Sequence, residues 1–376
     1  MRPEIVVDLA AIRHNARTLA ALVAPAALMT VVKADGYGHG IIESGRAARA
    51  GGATWLGVAT VPEALELRAA GDAGRLLCWL SLPADVEDGS LALAIDSDVD
   101  ITAYTVERLD QVVAAGSSEQ VPRVQLKVDT GLSRGGATRD DWPGLVARAA
   151  EHERAGRARI TGVWSHFACS EEPDHPANDL QEQRFHAALR VAEEAGLRPE
   201  VRHLANSAAA ILRPSSRLDL VRVGLATFGL DPAPDATHDT DLRPAMTVTA
   251  PLALAKPIAT GDGVSYGQHW VADEATTVGL VPAGYGDGVP RHGSNVLEVA
   301  VDGVRRPVLG RVCMDQVVVD LGGDLPPVGT PVTLFGPGDH GEPTAQEWAD
   351  ACGTISYEIV TRIGGRFERR YEGGQQ

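Results

Sequence analysis

Lys33 closes a β-branched run, Thr30-Val31-Val32, and opens a loop with glycine at positions 36, 38 and 40. A lysine at the end of a buried strand loses hydration, and nearby positive charge lowers its pKa further, which makes it a Schiff-base candidate. Four other places could join it. Arg134 follows the run Leu126–Thr130, and His166 follows Trp164-Ser165. Asn206 and Ser207 precede an alanine-rich helical turn, and Arg222 lies two residues before Gly224. A hydroxyl and free amides where a helix begins are a phosphate site in kind, although ordinary N-capping accounts for a serine there nearly as well. Taken singly, the lysine reads as a solvated side chain and the histidine as a hydrogen-bonded core residue. Together, an amine, a phosphate cup and two arginines suggest either pyridoxal 5'-phosphate (PLP) or a Schiff-base aldolase acting on a sugar phosphate.

Something must bring these residues to one place. Eight short β-branched runs lie at about 30–33, 55–59, 76–80, 99–102, 124–128, 160–165, 201–204 and 220–223, joined by helical patterns. Leu9, Ile12, Ala16, Leu19 and Val23 repeat at helical spacing behind Asp8, an N-cap candidate; 62–70, 106–115 and 180–195 read as further helices. Alternation of this kind predicts an α/β fold with an N-terminal (β/α)8 TIM barrel, whose reactive groups gather at the carboxyl ends of the strands. After Asp231 the pattern turns to period-two runs (246–255, 276–281, 296–301, 317–321, 331–335) between Gly-Asp-Gly, Gly-Tyr-Gly-Asp-Gly and Val-Asp-Gly turns. The division expected is a barrel over 1–235 and a mostly antiparallel β C-terminal domain over 236–376, with the first residues candidates to pair with the latter.

Composition removes several alternatives. The 376 residues carry 34 Lys+Arg against 50 Asp+Glu, a net charge of −16, which disfavours nucleic acid and anionic membranes as partners. No uncharged stretch reaches the length of a membrane span, no export signal is read at the start, and the four cysteines are scattered without a CxxC pair. A reduced, soluble, cytoplasmic protein with no metal is expected.

Nine separated motifs, VVKADGYGHG, LKVDTGLSRGG, SHFA, HLANSAA, VRVGLATFGL, VSYG, GYGDGVPR, GRVCMDQ and ISYE, occur in order, and the chain thereby resembles bacterial alanine racemases, over a span from Val6 to about Phe367. The resemblance implies an isomerase that interconverts L- and D-alanine with PLP and supplies D-alanine for peptidoglycan. Lys33 would anchor the cofactor. Tyr37, Tyr357, Ser207 and the amides of Gly224 and Leu225 would hold its phosphate. Arg222 would face the pyridine nitrogen, His166 would bridge toward the second base, and Asn206 would orient the group. That second base would be Tyr266, acting across a homodimer interface, with Tyr285, Met314 and Asp315 from the same partner chain and Met314 against the substrate. Arg134 would contact the cofactor's phenolic oxygen and the substrate carboxylate. Lys127 is either carbamylated by CO2 to position Arg134 or simply paired with Asp129.

Three departures from the family pattern stand out: Asp35 in VKADG in place of asparagine, Phe228 for a tyrosine, and Glu171 for an aspartate in an access corridor shared with Arg291 and Arg311. Two bases on opposite faces suit racemisation, because one base tends to return the same enantiomer. Tyrosine is an awkward base: with an ordinary pKa of about 10, ionising it at pH 7 costs about 4 kcal/mol. A histidine polarised by an arginine would offset that cost. Broader amino-acid racemases and PLP decarboxylases or carriers are the competing readings. Arg222 opposes the decarboxylases, which place an acid at the pyridine nitrogen. The carriers lack the second domain.

Overall fold

In a computed structural model that describes residues 2–117 and 119–374, eight parallel strands form a barrel in chain order. They run Ala27–Val31, Trp55–Thr60, Arg75–Leu80, Asp100–Ala103, Arg123–Lys127, Arg159–Trp164, Val201–His203 and Leu220–Val223. The eighth strand pairs with the first. The seam between seventh and eighth is joined by Asp219 N donating to Arg202 O (3.2 Å) and Arg222 N to Ala205 O (3.0 Å).

All eight predicted strands exist, because each β-branched run packs one face on the lumen and the other on a helix. One boundary differs in a way that matters: the first strand stops at Val31, so Lys33 stands beyond it rather than on it. The first helix, Leu9–Val23, starts where expected, with the Asp8 carboxylate accepting from Ala10 N (2.7 Å) and Ala11 N (3.2 Å). The helix expected from Leu180 begins earlier, at Pro176, where proline takes the first turn and the His175 ring accepts from Ala177 N.

The second sheet has nine strands, in the order 254–258, 276–281, 317–322, 304–309, 298–301, 331–335, 246–251, 4–8 and 368–372. All its pairings are antiparallel except that of the edge strand Glu368–Glu372, which runs parallel to Glu4–Asp8. The run expected as one strand over 246–255 is two. Leu252 N donates to Thr330 O and Ala253 N to Leu280 O (both 2.8 Å), so the chain changes partner strand there. The amino-terminal strand lies inside this second sheet and then leads straight into the first barrel helix.

Half of the barrel lumen is apolar, with Met29, Trp55, Leu77 and Leu220 packed together. The other half is polar and equally buried: Asp100, Gln125, Thr161, His203 and Arg222. Charge is tolerable there only because every one of these groups has a partner.

Candidate active site

Immediately after Lys33 the backbone enters the left-handed region and stays there for five residues: Ala34 (φ 52°), Asp35 (53°), Gly36 (61°), Tyr37 (54°) and Gly38 (83°). Each of the three non-glycine residues stores roughly 1–2 kcal/mol in that conformation. The surroundings hold the turn in place. The Glu63 carboxylate, which also caps the helix Val61–Ala69 that follows the second strand, accepts from Ala34 N (2.7 Å). Asp35 accepts from Ile41 N (2.9 Å) and pairs with Arg369 of the last strand (2.7 Å). The buried His39 ring donates from Nδ1 to the carbonyls of Tyr37 (2.9 Å) and Gly36 (3.1 Å). As a result Lys33 and Tyr37 face the same cavity.

That cavity, about 650 Å3, opens at the carboxyl ends of the barrel strands and is lined by eleven of the residues singled out in the sequence: Lys33, Tyr37, Lys127, Arg134, His166, Asn206, Ser207, Arg222, Gly224, Leu225 and Tyr357. Burial, then the Arg134 charge, lowers the pKa of the Lys33 amine, opposed by Glu63. Asn206, rather than Ser207, caps the short helix Ser207–Leu212, taking Ala209 N (3.1 Å). The Ser207 hydroxyl is thereby free to accept from Gly224 N (3.0 Å). A Cβ on Gly224 would sit 2.2 Å from the Tyr37 hydroxyl, so the bare backbone lets that phenol approach. Burial raises Tyr37, and it raises Tyr357 to about 12 with help from the nearby Glu171 charge, so both phenols keep their protons and act as donors.

Arg222 is buried at the opposite side of the cavity wall. Its guanidinium donates to Ser165 O (2.7 Å) and Leu204 O (3.1 Å) and reaches the Nδ1 atoms of His166 (3.1 Å) and His203 (3.0 Å). Burial and Arg134 lower it to about 9, which still leaves it charged at neutral pH. Burial, followed by the Arg222 charge, holds His166 well below the ordinary histidine range.

Lys127 lies 4.4 Å over the Trp164 ring and is lowered to about 8, first by burial and then by Arg222 and Arg134. Among the described residues it forms no salt bridge. The Asp129 carboxylate instead accepts from the amides of Gly131, Leu132 and Ser133.

The remaining residues named from the sequence are not in the cavity. Tyr266, Tyr285, Met314 and Asp315 lie together on an exposed face of the second sheet, Tyr266 with 72% of its surface open. Their local geometry is built. Ser265 (φ 61°) donates its hydroxyl to Arg311 O (2.7 Å), Tyr285 N donates to Cys313 O (2.9 Å), and Arg366 ties Asp315 to the buried Asp287 (2.7 and 2.6 Å). Arg291 is exposed on the same domain, in a turn tied to the segment before Met314 by Val312 N donating to Ser294 Oγ (3.0 Å), and Glu171 lies near Tyr357.

The sequence reading missed Trp79 and Trp164, both in the wall. Trp164 stacks on His203 and receives Arg222 at 4.8 Å as well as Lys127. Its position two residues before His166 was the available signal, since strand alternation turns both to the same side.

Models described as the alanine racemase N-terminal domain and the alanine racemase C-terminal domain match residues 7–232 and 245–371. An alanine racemase of Thermobifida fusca is 52% identical over 368 residues, covering 98% of this chain and 97% of its own. One from Streptomyces coelicolor is 51% identical, covering 99% and 96%. The solved alanine racemase from D-cycloserine-producing Streptomyces lavendulae superposes with a TM-score of 0.96 at 48% identity, covering 100% of this chain and 98% of that one.

Proposed function

The chain belongs to the alanine racemase family along both of its domains, and from that premise we propose which residues carry the interconversion of L- and D-alanine. The observation that carries the assignment is the division of the site. One chain assembles an amine, a phosphate cup and a buried guanidinium in a single cavity, and leaves Tyr266, Tyr285 and Met314 grouped on an open face outside it. A symmetric pair of chains would complete each cavity with the face of the other.

The donor set fits pyridoxal 5'-phosphate. Lys33 would bind its aldehyde carbon; Ser207, Tyr37, Tyr357 and the amides of Gly224 and Leu225 would take the phosphate; Arg222, which has only donors, would face the ring nitrogen and keep a proton off it. Asn206, whose Nδ2 donates to Ser170 Oγ (2.7 Å), keeps the short helix and its cup in place. Bound there, PLP acidifies the substrate's α-proton by spreading the carbanion's charge into its ring.

The chain's own groups do the rest. Arg134, exposed at the mouth, binds the substrate carboxylate. Lys33, its pKa lowered by burial, exchanges the proton on the D face. Tyr266 of a second copy exchanges it on the L face, with His166 hydrogen-bonded to the phenolate. Met314 and Tyr285 of that copy, with Tyr357, leave room for a methyl group. Carbamylation of Lys127, favoured by its lowered pKa, would give Arg134 a carboxylate partner. Glu171, Arg291 and Arg311 would line the access corridor, and Asp315 would brace the Met314 segment through Arg366. Among the described residues no helix is long and apolar enough to cross a membrane, in keeping with a cytoplasmic enzyme that supplies D-alanine for peptidoglycan.

Mixed dimers test the division directly. Lys33→Ala and Tyr266→Ala homodimers should each be without net racemisation of L-alanine, followed by chiral chromatography. After the two are dissociated together and reassociated, about a quarter of wild-type activity should return, since half the pairs carry one intact site of two. No recovery in reassembled pairs would place both bases in one chain.

A further inference from the structure

A line of buried hydrogen bonds crosses the barrel lumen from its floor to His166. It begins at Asp100, which has no exposed surface; its carboxylate accepts from Arg123 Nε (2.6 Å), Thr161 Oγ1 (2.7 Å), Arg75 Nη2 (3.0 Å) and Gln125 Nε2 (3.0 Å). The other end of the Gln125 amide, Oε1, meets His203 Nε2 at 2.7 Å. His203 Nδ1 meets Arg222 Nη1 at 3.0 Å, and Arg222 Nη2 meets His166 Nδ1 at 3.1 Å. Gln125 and His203 are both completely buried. Space has been kept for the amide: a Cβ on Gly162 would lie 2.7 Å from Gln125 Oε1.

Counting donors fixes the role of each atom along the line, with one bond shared: the two hydrogens of Arg222 Nη2 serve three acceptors, Ser165 O (2.7 Å), Leu204 O (3.1 Å) and His166 Nδ1 (3.1 Å). A carboxylate only accepts, so Gln125 must turn its NH2 to Asp100 and its carbonyl to His203. His203 Nε2 must then carry the proton. A guanidinium only donates, so the Nδ1 atoms of His203 and His166 must both be lone pairs. Reversing Gln125 would set its oxygen against the carboxylate, and moving either histidine's proton would set N–H against guanidinium. In such a dry interior either error leaves polar groups unpaired at a cost larger than a normal hydrogen bond returns. The single proton of His166 is therefore on Nε2, the nitrogen left for the cavity.

We propose that Gln125, anchored by Asp100, is a positioning residue for racemisation: it locks the proton of His203 and, through Arg222, obliges His166 to present an N–H to the cavity. His166 then stabilises a phenolate and cannot itself accept the phenol's proton. The inference rests on the reading in which Tyr266 of a second copy is the L-face base, and it adds to that reading how the fold keeps the histidine in the one tautomer that serves such a base.

Two measurements test it. With histidine ring nitrogens labelled with 15N, and the two resonances identified by their loss in His166→Asn and His203→Asn, both rings should show bare Nδ1 and protonated Nε2 in the wild-type protein, with or without PLP. A proton on Nδ1 of either ring overturns the proposal, whatever any variant does. In Gln125→Met the His203 signal should lose its single-tautomer character, and solvent deuterium exchange into L-alanine should slow about tenfold, the effect of one buried hydrogen bond, with D-alanine exchange within about twofold. Gln125→Glu, protonated against Asp100 and accepting from His203, should recover most of the loss. Equal slowing of both exchanges, or of neither, refutes a positioning role. If the wild-type tautomers are as described while Tyr266→Ala leaves L-alanine exchange intact, the assignment of Tyr266 fails and the hydrogen-bonded line stands.

Discussion

Gly224 has no side chain because the Tyr37 phenol occupies the space one would need. Its φ is an ordinary −105°, so the requirement is close approach, not left-handed backbone. Gly224→Ala must push the Tyr37 ring away from the Ser207 cup, an overpacking cost of about 1–3 kcal/mol. PLP affinity should fall about tenfold or more in a fluorescence titration of the apoprotein, with the fold retained. Unchanged affinity would remove Tyr37 from the phosphate site. The same scale separates what could be read in advance from what could not. Lys33, Ser207, His166 and Arg222 were legible because, although each alone has an ordinary structural use, all four fall at the carboxyl ends of predicted barrel strands and converge there on one chemistry. Gln125 and His203 were not. A polar residue inside a strand has no meaning until the residue across the lumen is known, and for Gln125 that residue is 25 positions back on one side and 78 forward on the other.

At the scale of elements, the left-handed turn after the first strand governs where Lys33 points. Glycines at 36, 38 and 40 marked a turn, but nothing local announced that Ala34, Asp35 and Tyr37 would share the conformation. The forces that impose it come from Glu63 on the helix after the second barrel strand and from Arg369 on the last strand. Asp35→Asn keeps an acceptor for Ile41 N and loses only a half-exposed ion pair, so it should cost at most about 1 kcal/mol. Asp35→Ala loses both and should cost about 1 kcal/mol more, with faster amide hydrogen exchange confined to 34–41. Equal effects of the two would mean that the ion pair alone holds the turn. The strand and helix alternation itself was legible over nearly the whole barrel. Some boundaries moved for local reasons, as at Pro176, and others because a distant partner decided them, as at Leu252–Ala253, where the chain leaves one neighbour for another.

For the molecule as a whole, buried histidines set the response to acid. Burial lowers His39 to about 4 and holds His166 and His203 well below the ordinary value, the latter two with the Arg222 charge adding to it. Between about pH 4 and 6.5 the unfolded chain therefore binds more protons than the folded one, so stability falls as pH drops through that window and levels off above it. Each such histidine contributes up to about 1.4 kcal/mol per pH unit, roughly 4 for the three. Urea midpoints should be flat from pH 7 to 8 and fall steeply from 6.5 to 5. A flat profile across the lower range would mean that these rings are protonated within the fold.

Residue types and their order, by themselves, determined the alternating architecture and a first set of site groups, because β-branched runs, helix caps and strand-end chemistry are local properties carried by neighbouring residues; the family and the remaining groups came from the resemblance of nine motifs. Tertiary structure alone decided how those groups are held: the left-handed turn and the dry line of hydrogen bonds behind Arg222. Each of these depends on atoms brought together from remote parts of the chain, and hydrogen-bond direction, burial and close packing exist only once they meet.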